Sequence, residues 1–258
     1  MAGGIVLASY LAKCGVASRR ASQEIISSGR VTVNGTVIQE LPFRVDPERD
    51  EVLVDGQSAS QGQSVYLALN KPKGYTCTAA DEHAGQLALE LLPEKYGRLF
   101  SVGRLDRDSE GLILFTNDGA WAQRITHPKY QVEKVYWLRV RGEFEDRDLE
   151  VMTDGIEDEG DILQAKEVRM LRNMGDSCEL QMTLTQGHKR EVRRLIRFCG
   201  GRVKELLRVA IGNLELGELD TGEWRELTAA EVAALGSKPA NPKQPPAEPN
   251  QSSISSPG

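Results

Sequence analysis

Apolar positions in the first sixty residues follow a helical period and then change to a strand period. Val6, Leu7, Tyr10, Leu11 and Cys14 fall at helical spacing, and Gly15 is able to end that helix. Ser18 is placed to cap a second helix running through Ile25 and Ile26 to Gly29. From Val31 to Ile38 the residues are largely β-branched and are interrupted by Asn34-Gly35, the strongest short signal for a hairpin. Residues 51–54 form a further strand that ends at Asp55-Gly56. Residues 1–56 therefore read as a small module, and the polar run QSASQGQ at 57–63 reads as a linker.

A larger domain is expected over residues 64–236. Strand patterns at 65–70, 112–116, 135–140 and 178–185 are interspersed with a few helices, without a regular alternation of strand and helix. That order predicts an α+β domain on a mostly antiparallel mixed sheet. Trp224 to Leu227 continues the strand pattern, and Thr228 with Glu231 forms a capping box for a last short helix. Six of the eleven prolines lie in 237–258 among Ser, Asn, Gln and Gly. Such a segment has too little apolar surface to order itself and reads as a disordered tail.

Charge adds a partner to this picture. The net charge of −6 over 258 residues argues at first against a polyanion. The mean conceals segregation: eight Lys or Arg stand against two Glu between Gln186 and Arg208, and four against one between Met1 and Gly35. Local patches set what a surface attracts, so two basic regions on an acidic chain point to a bounded nucleic-acid footprint. Lys13, Arg19, Arg20 and Arg30 supply the first region, and fixed cations on a helix pair suit phosphates without reading sequence.

Four scattered cysteines and three histidines, with no Cys-x-x-Cys pair, argue against a zinc site or a disulfide framework and for a reducing cytoplasm. No apolar run is long enough to span a bilayer, and residues 5–11 lack the basic flank of a secretory leader. No membrane and no metal are expected as partners, and a monomer is the default.

The stretch from Leu99 to Gly119 carries the candidate chemistry. An apolar segment runs into Gly103-Arg104-Leu105-Asp106, then a polar turn, then the buried-looking strand 112–116. Arg104 and Arg107 flank Asp106, and nearby guanidinium groups favour an ionised carboxylate, which in a partly dry cleft is a competent nucleophile. An Asp at a strand end more often satisfies turn amides, and Asp108 and Asp118 are assigned that role. Alternation places Tyr136, Leu138 and Val140 on one face of a strand. In the helix that opens near Gln186, Val192, Leu195, Ile196 and Cys199 form an apolar face, while Arg190, Arg193, Arg194 and Arg197 form a cationic stripe.

Two resemblances follow from these residues. The helix, helix, hairpin order, carried by Ala17 to Ala21 and Ser28 to Gly35, resembles the alpha-L (S-four-type) RNA-binding module. The run Gly103 to Gly119 resembles the catalytic motif of the RsuA-type family of ribosomal-RNA pseudouridine synthases, RluB-like members included. Leu69 to Tyr75 (LNKPKGY) resembles that family's first motif, and the likeness spans nearly everything from Ala17 to Leu227.

The resemblance implies the pseudouridine synthase fold and isomerisation of a uridine in ribosomal RNA or a pre-ribosomal particle. Asp106 would be the nucleophile, Tyr136 would stack on the target base, and Arg193, with Arg194 second, would pair with Asp106. Lys71, Arg104, Lys189, Arg190, Arg194 and Arg197 are taken as RNA contacts beside the N-terminal cations. No cofactor is needed, because nothing leaves the nucleotide. Whether the carboxylate attacks sugar or base stays open, and the segments REVRR at 190–194 and GEWREL at 222–227 resemble the large-subunit branch.

Rival readings leave residues unexplained. A non-catalytic RNA-binding or ribosome-assembly factor gives Gly103 to Gly119 no role. A methyltransferase would need a glycine-rich turn after an early strand of a doubly wound domain, and no such turn is present. A two-carboxylate glycosidase would release free base.

Overall fold

The computed structural model describes residues 4–60, 62–77 and 85–235. In the N-terminal module a two-residue strand, Ile5–Val6, leads into helix Leu7–Lys13. Helix Arg19–Ser27 follows, with the Ser18 hydroxyl accepting from the Ala21 amide at 3.1 Å. The hairpin Val31–Val33 with Thr36–Ile38 turns on Asn34 and Gly35, whose φ angles of 50° and 79° match the mirror-image turn that a right-twisted hairpin requires. Leu7, Leu11, Ile26, Val31 and Val52 close a core of their own.

The stretch expected as a linker is shorter than 57–63. Gln57–Ser58 pairs with Val54 and Leu53, the Ala59 amide donates to Val52 at 2.8 Å, and Tyr10 donates its hydroxyl to the Ala59 carbonyl. Asp55-Gly56 thus closes a second hairpin, and backbone pairing draws the small polar residues after it into the module.

The larger part is built on a nine-stranded sheet. Its main path runs Glu167–Asn173, Ser177–Leu184, Lys134–Arg141, Arg202–Ile211, Glu110–Thr116, Tyr66–Lys71, Trp224–Glu226. Every neighbour pair on that path is antiparallel except Arg202–Ile211 against Glu110–Thr116, so the α+β fold on a mostly antiparallel mixed sheet is as expected. The parallel pair fixes one position absolutely. At Gly111 (φ +104°) an added Cβ would lie 2.4 Å from the Arg208 carbonyl oxygen, so only glycine lets the two backbones approach this closely.

One face of the sheet packs Leu138, Val140, Leu180 and Met182 against Leu195 and Ile196 of helix Glu191–Phe198. Other apolar residues of the sheet pack with helix Gly119–Thr126 through Trp121 and Ile125. The last helix, Ala229–Leu235, is capped as predicted, with Thr228 and Glu231 exchanging hydrogen bonds of 2.8 and 3.2 Å. The segment 237–258, read as a disordered tail, lies outside the described residues. Among the described residues no helix is long and apolar enough to cross a membrane, and no group of His, Cys, Asp and Glu could hold a metal ion.

Candidate active site

Asp106 lies in the loop between strands Phe100–Val102 and Glu110–Thr116. Gly103, at φ +77°, turns the chain out of the first strand, and Leu105 is buried directly before the half-buried Asp106. The loop is fixed from behind: Cys77 Sγ lies 3.3 Å from both the Leu105 amide and its carbonyl, and the Ser109 amide donates to the Asp106 carbonyl at 3.1 Å. Asp106 lines a cavity of about 280 Å³ together with Tyr136, Arg193, Arg104, Lys189 and Arg190.

The strand register assembles the rest of the wall. Tyr136 stands opposite Met182 on one side and Arg208 on the other, so all three point to the same face. Tyr136 is 8% exposed and Arg208 3%. Arg208 donates to the Leu112 carbonyl at 2.7 Å and to the Arg104 carbonyl at 3.4 Å, which places a guanidinium under the loop that carries Asp106.

Arg193 lines the cavity, and its partner is Asp108 rather than Asp106. Its guanidinium donates to the Asp108 carbonyl at 2.9 Å and lies 3.3 Å from the carboxylate, and the Asp106 charge acts on it electrostatically. Arg190 grips the same carboxylate with two hydrogen bonds of 3.1 Å. Burial pushes the Asp108 carboxyl up, but the Arg190 hydrogen bonds and both guanidinium charges outweigh it and hold it below the usual carboxylate range. Asp108, assigned from sequence to turn amides, is thus the clamp between this loop and the arginine helix.

Arg194 and Lys71 are corrections to the set of expected RNA contacts. Arg194 is 6% exposed and is held by Asp158 and Asp161, with its Nε 2.6 Å and its Nη1 2.7 Å from their carboxylates. The Arg194 guanidinium is therefore committed to these two carboxylates and does not pair with Asp106. Lys71 is fully buried, and its ammonium donates to the carbonyls of Pro72 and Tyr75 at 2.8 and 3.0 Å. Both were legible only as cations, and their burial is a product of the tertiary fold. Arg197 is exposed and paired with Asp158. In the N-terminal module Arg19 and Arg20 are exposed, Lys13 is half-buried, and Arg30 is exposed but bonded to Asp55.

The cavity also holds residues that sequence reasoning passed over: Arg208, Lys134 and Glu191. Burial, helped by the Arg208 charge and opposed by Glu191, brings the Lys134 ammonium down to about 8. Glu191, 3% exposed, has its carboxyl pushed up by burial. Seven buried side-chain polar atoms lack a hydrogen-bond partner among the described residues. Four of them, Ser109 Oγ, Glu191 Oε1, Arg193 Nε and Arg208 Nη2, belong to residues lining this one cavity. Unsatisfied polar groups are costly, and gathered at one cavity they leave hydrogen-bonding capacity facing whatever enters it. A lysine two residues before Tyr136 on the same strand face was the available signal for Lys134. Arg208 lay in a strand whose pattern had not been read at all.

A family model described as RNA pseudouridylate synthase matches residues 65–197, and an S4 domain model matches residues 7–52. The chain belongs to the RNA pseudouridylate synthase family. It is 40% identical, over 88% of its own length and 91% of the relative's, to an uncharacterized RNA pseudouridine synthase of Aquifex aeolicus. It is 36% identical, over 89% and 94% of the two chains, to the ribosomal large subunit pseudouridine synthase B of Bacillus subtilis. Among solved structures, a pseudouridylate synthase crystal structure superposes with a TM-score of 0.63 at 28% identity, covering 89% of this chain and 98% of that one. The resemblance of Gly103 to Gly119 and of the N-terminal module therefore identified the family. In this RNA pseudouridylate synthase the cavity beside Asp106 lies within the matched region, except for its floor residues Leu206, Arg208 and Ile211.

Proposed function

We propose that the chain isomerises a uridine of large-subunit ribosomal RNA to pseudouridine, with Asp106 as nucleophile and without a cofactor. The observation that carries the reading is Asp106 in a cavity shared with Tyr136, under the cationic start of helix Glu191–Phe198. The large-subunit assignment rests on likeness to the Bacillus subtilis enzyme named for that subunit.

The target base leaves its stack and enters the cavity, at least cost from looped or unpaired RNA. Asp106 adds to the nucleotide and assists cleavage of the bond between N1 and the ribose C1′. The uracil turns within the cavity and C5 bonds to C1′. The C5 proton is then lost, N1 takes one up, and the carboxylate is released, so no atom or electron is gained or lost overall. Tyr136 holds the base against its ring. Arg193 and Arg190, through Asp108, hold the loop that aims Asp106. Lys13, Arg19 and Arg20 anchor RNA outside the cavity, and Arg104 and Lys189 take phosphates at its rim.

Chemical mapping of pseudouridine in ribosomal RNA from a strain lacking the gene tests this reading. One large-subunit site should be lost, should return with the wild-type gene and should not return with Asp106→Asn. Persistence of every site would refute it.

A further inference from the structure

Beside the catalytic cavity lies a second, larger one of about 890 Å³. The two share a wall, because Thr185 and Gln186 line both. The rim of the second carries Arg124, Lys129 and Lys166. Lys166 is paired with Glu133, which cancels the one carboxylate of the lining. Neither Arg124 nor Lys129 forms an ion pair with a described residue, and both are exposed. The groove is therefore cationic in balance, and it is continuous with the place where the reacting base is expected.

An aromatic ring stands at its edge. Tyr130 is 43% exposed. It is held in a short turn, Pro128–Tyr130, opened by proline. His127 Nδ1 accepts from the Lys129 amide at 3.2 Å, and Gln131 ends the turn at φ +48°. The His127 ring meets Tyr130 edge-on at 6.2 Å, and the Lys129 ammonium lies 4.7 Å from the Tyr130 ring centroid. Ile125, Thr126 and Pro128, next to these residues in the chain, line the catalytic cavity. One turn thus contributes to both cavities. A fixed exposed ring next to cations that have no carboxylate partner among the described residues is the arrangement on which single-stranded nucleic acid stacks its bases and rests its phosphates.

We propose that this groove seats a nucleotide adjoining the target uridine, with its base stacked on Tyr130 and its phosphates on Arg124 and Lys129. The proposal rests on the uridine-isomerase reading and deepens it. It makes the Pro128–Tyr130 turn a positioning element that keeps the flanking strand single while the target base occupies the cavity beside Asp106.

Full-length protein and the shortest ribosomal RNA transcript in which it converts a uridine provide the test. Tyr130→Ala should raise KM about tenfold, the cost of one lost stacking contact, and lower kcat far less. Tyr130→Phe, which keeps the ring, should restore KM. Replacing Arg124 and Lys129 by Gln should each lower the slope of log affinity against log salt by about one. An abasic residue at one flanking position should cost wild type about tenfold and cost Tyr130→Ala nothing more. Unchanged KM in Tyr130→Ala, or abasic penalties that add fully to it at every position, would overturn the proposal while leaving the enzyme reading intact. A wild-type protein that converts no uridine would instead remove the enzyme reading. In that case, equal binding of a single-stranded RNA oligonucleotide by wild type and Tyr130→Ala would remove this one too.

Discussion

Arg193 donates to the backbone carbonyl of Asp108 at 2.9 Å, and Arg190 holds the carboxylate of the same residue through two bonds of 3.1 Å. Helix Glu191–Phe198 is thereby tied to the loop that carries Asp106, two residues away. Asp108→Asn should keep RNA affinity and lower kcat by roughly ten- to a hundredfold, since a small displacement of a reacting group costs rate steeply. Single-turnover kinetics on pre-bound RNA reads this directly. An unchanged rate would show that the clamp does not aim Asp106.

The same carboxyl makes a pH prediction. Its folded-state pKa lies below its ordinary value, because the guanidinium contacts outweigh burial. The clamp therefore stabilises the fold above about pH 4 and loses its contribution as pH falls through the lowered folded value. Melting temperatures of wild type and Asp108→Asn should converge in that acid range and diverge at neutral pH.

Lys134 has the opposite sense. Its ammonium is brought from 10.5 down to about 8 by burial, so the unfolded chain binds the extra proton between those values and stability rises with pH across them. Lys134→Met should stabilise the protein at pH 7 by at most roughly 3 kcal/mol, with the difference disappearing above about pH 10.5. Denaturant titrations at pH 7, 9 and 10.5 would show it, and a pH-independent difference would contradict it.

Gly111→Ala should destabilise the fold by at least about 3 kcal/mol. The new Cβ would meet backbone of a central strand at 2.4 Å, and φ there is +104°. Neither a side-chain shift nor a rotamer change relieves that contact, so soluble expression and melting temperature both report it.

Arg194→Gln should lower the melting temperature while leaving RNA affinity and its salt slope intact, because the guanidinium is held by Asp158 and Asp161 inside the protein. Substituting Lys13, Arg19 and Arg20 by Gln should do the reverse, flattening the salt dependence of binding with little loss of stability. Binding isotherms at several salt concentrations separate the two behaviours.

Sequence alone determined what depends on local order. Hydrophobic period, Asn34-Gly35, Ser18 and the Thr228–Glu231 box fixed elements within a few residues, because turns and caps are made by neighbours in the chain. Gly103 to Gly119, a long and specific run, was enough to point to the family.

What only the tertiary structure decided is which charges are free. Lys71, Arg194 and Arg208 read from sequence as cations like any other, yet all three are buried, Lys71 against carbonyls of the turn that follows it and the two arginines against carboxylates or carbonyls from distant segments. Arg193 proved to hold Asp108, and the Pro128–Tyr130 turn proved to contribute to two cavities. A charge is available to a ligand only after the fold has taken the partners it needs, and for the two arginines those partners come from strands and loops far apart in the chain, where no local pattern can show them.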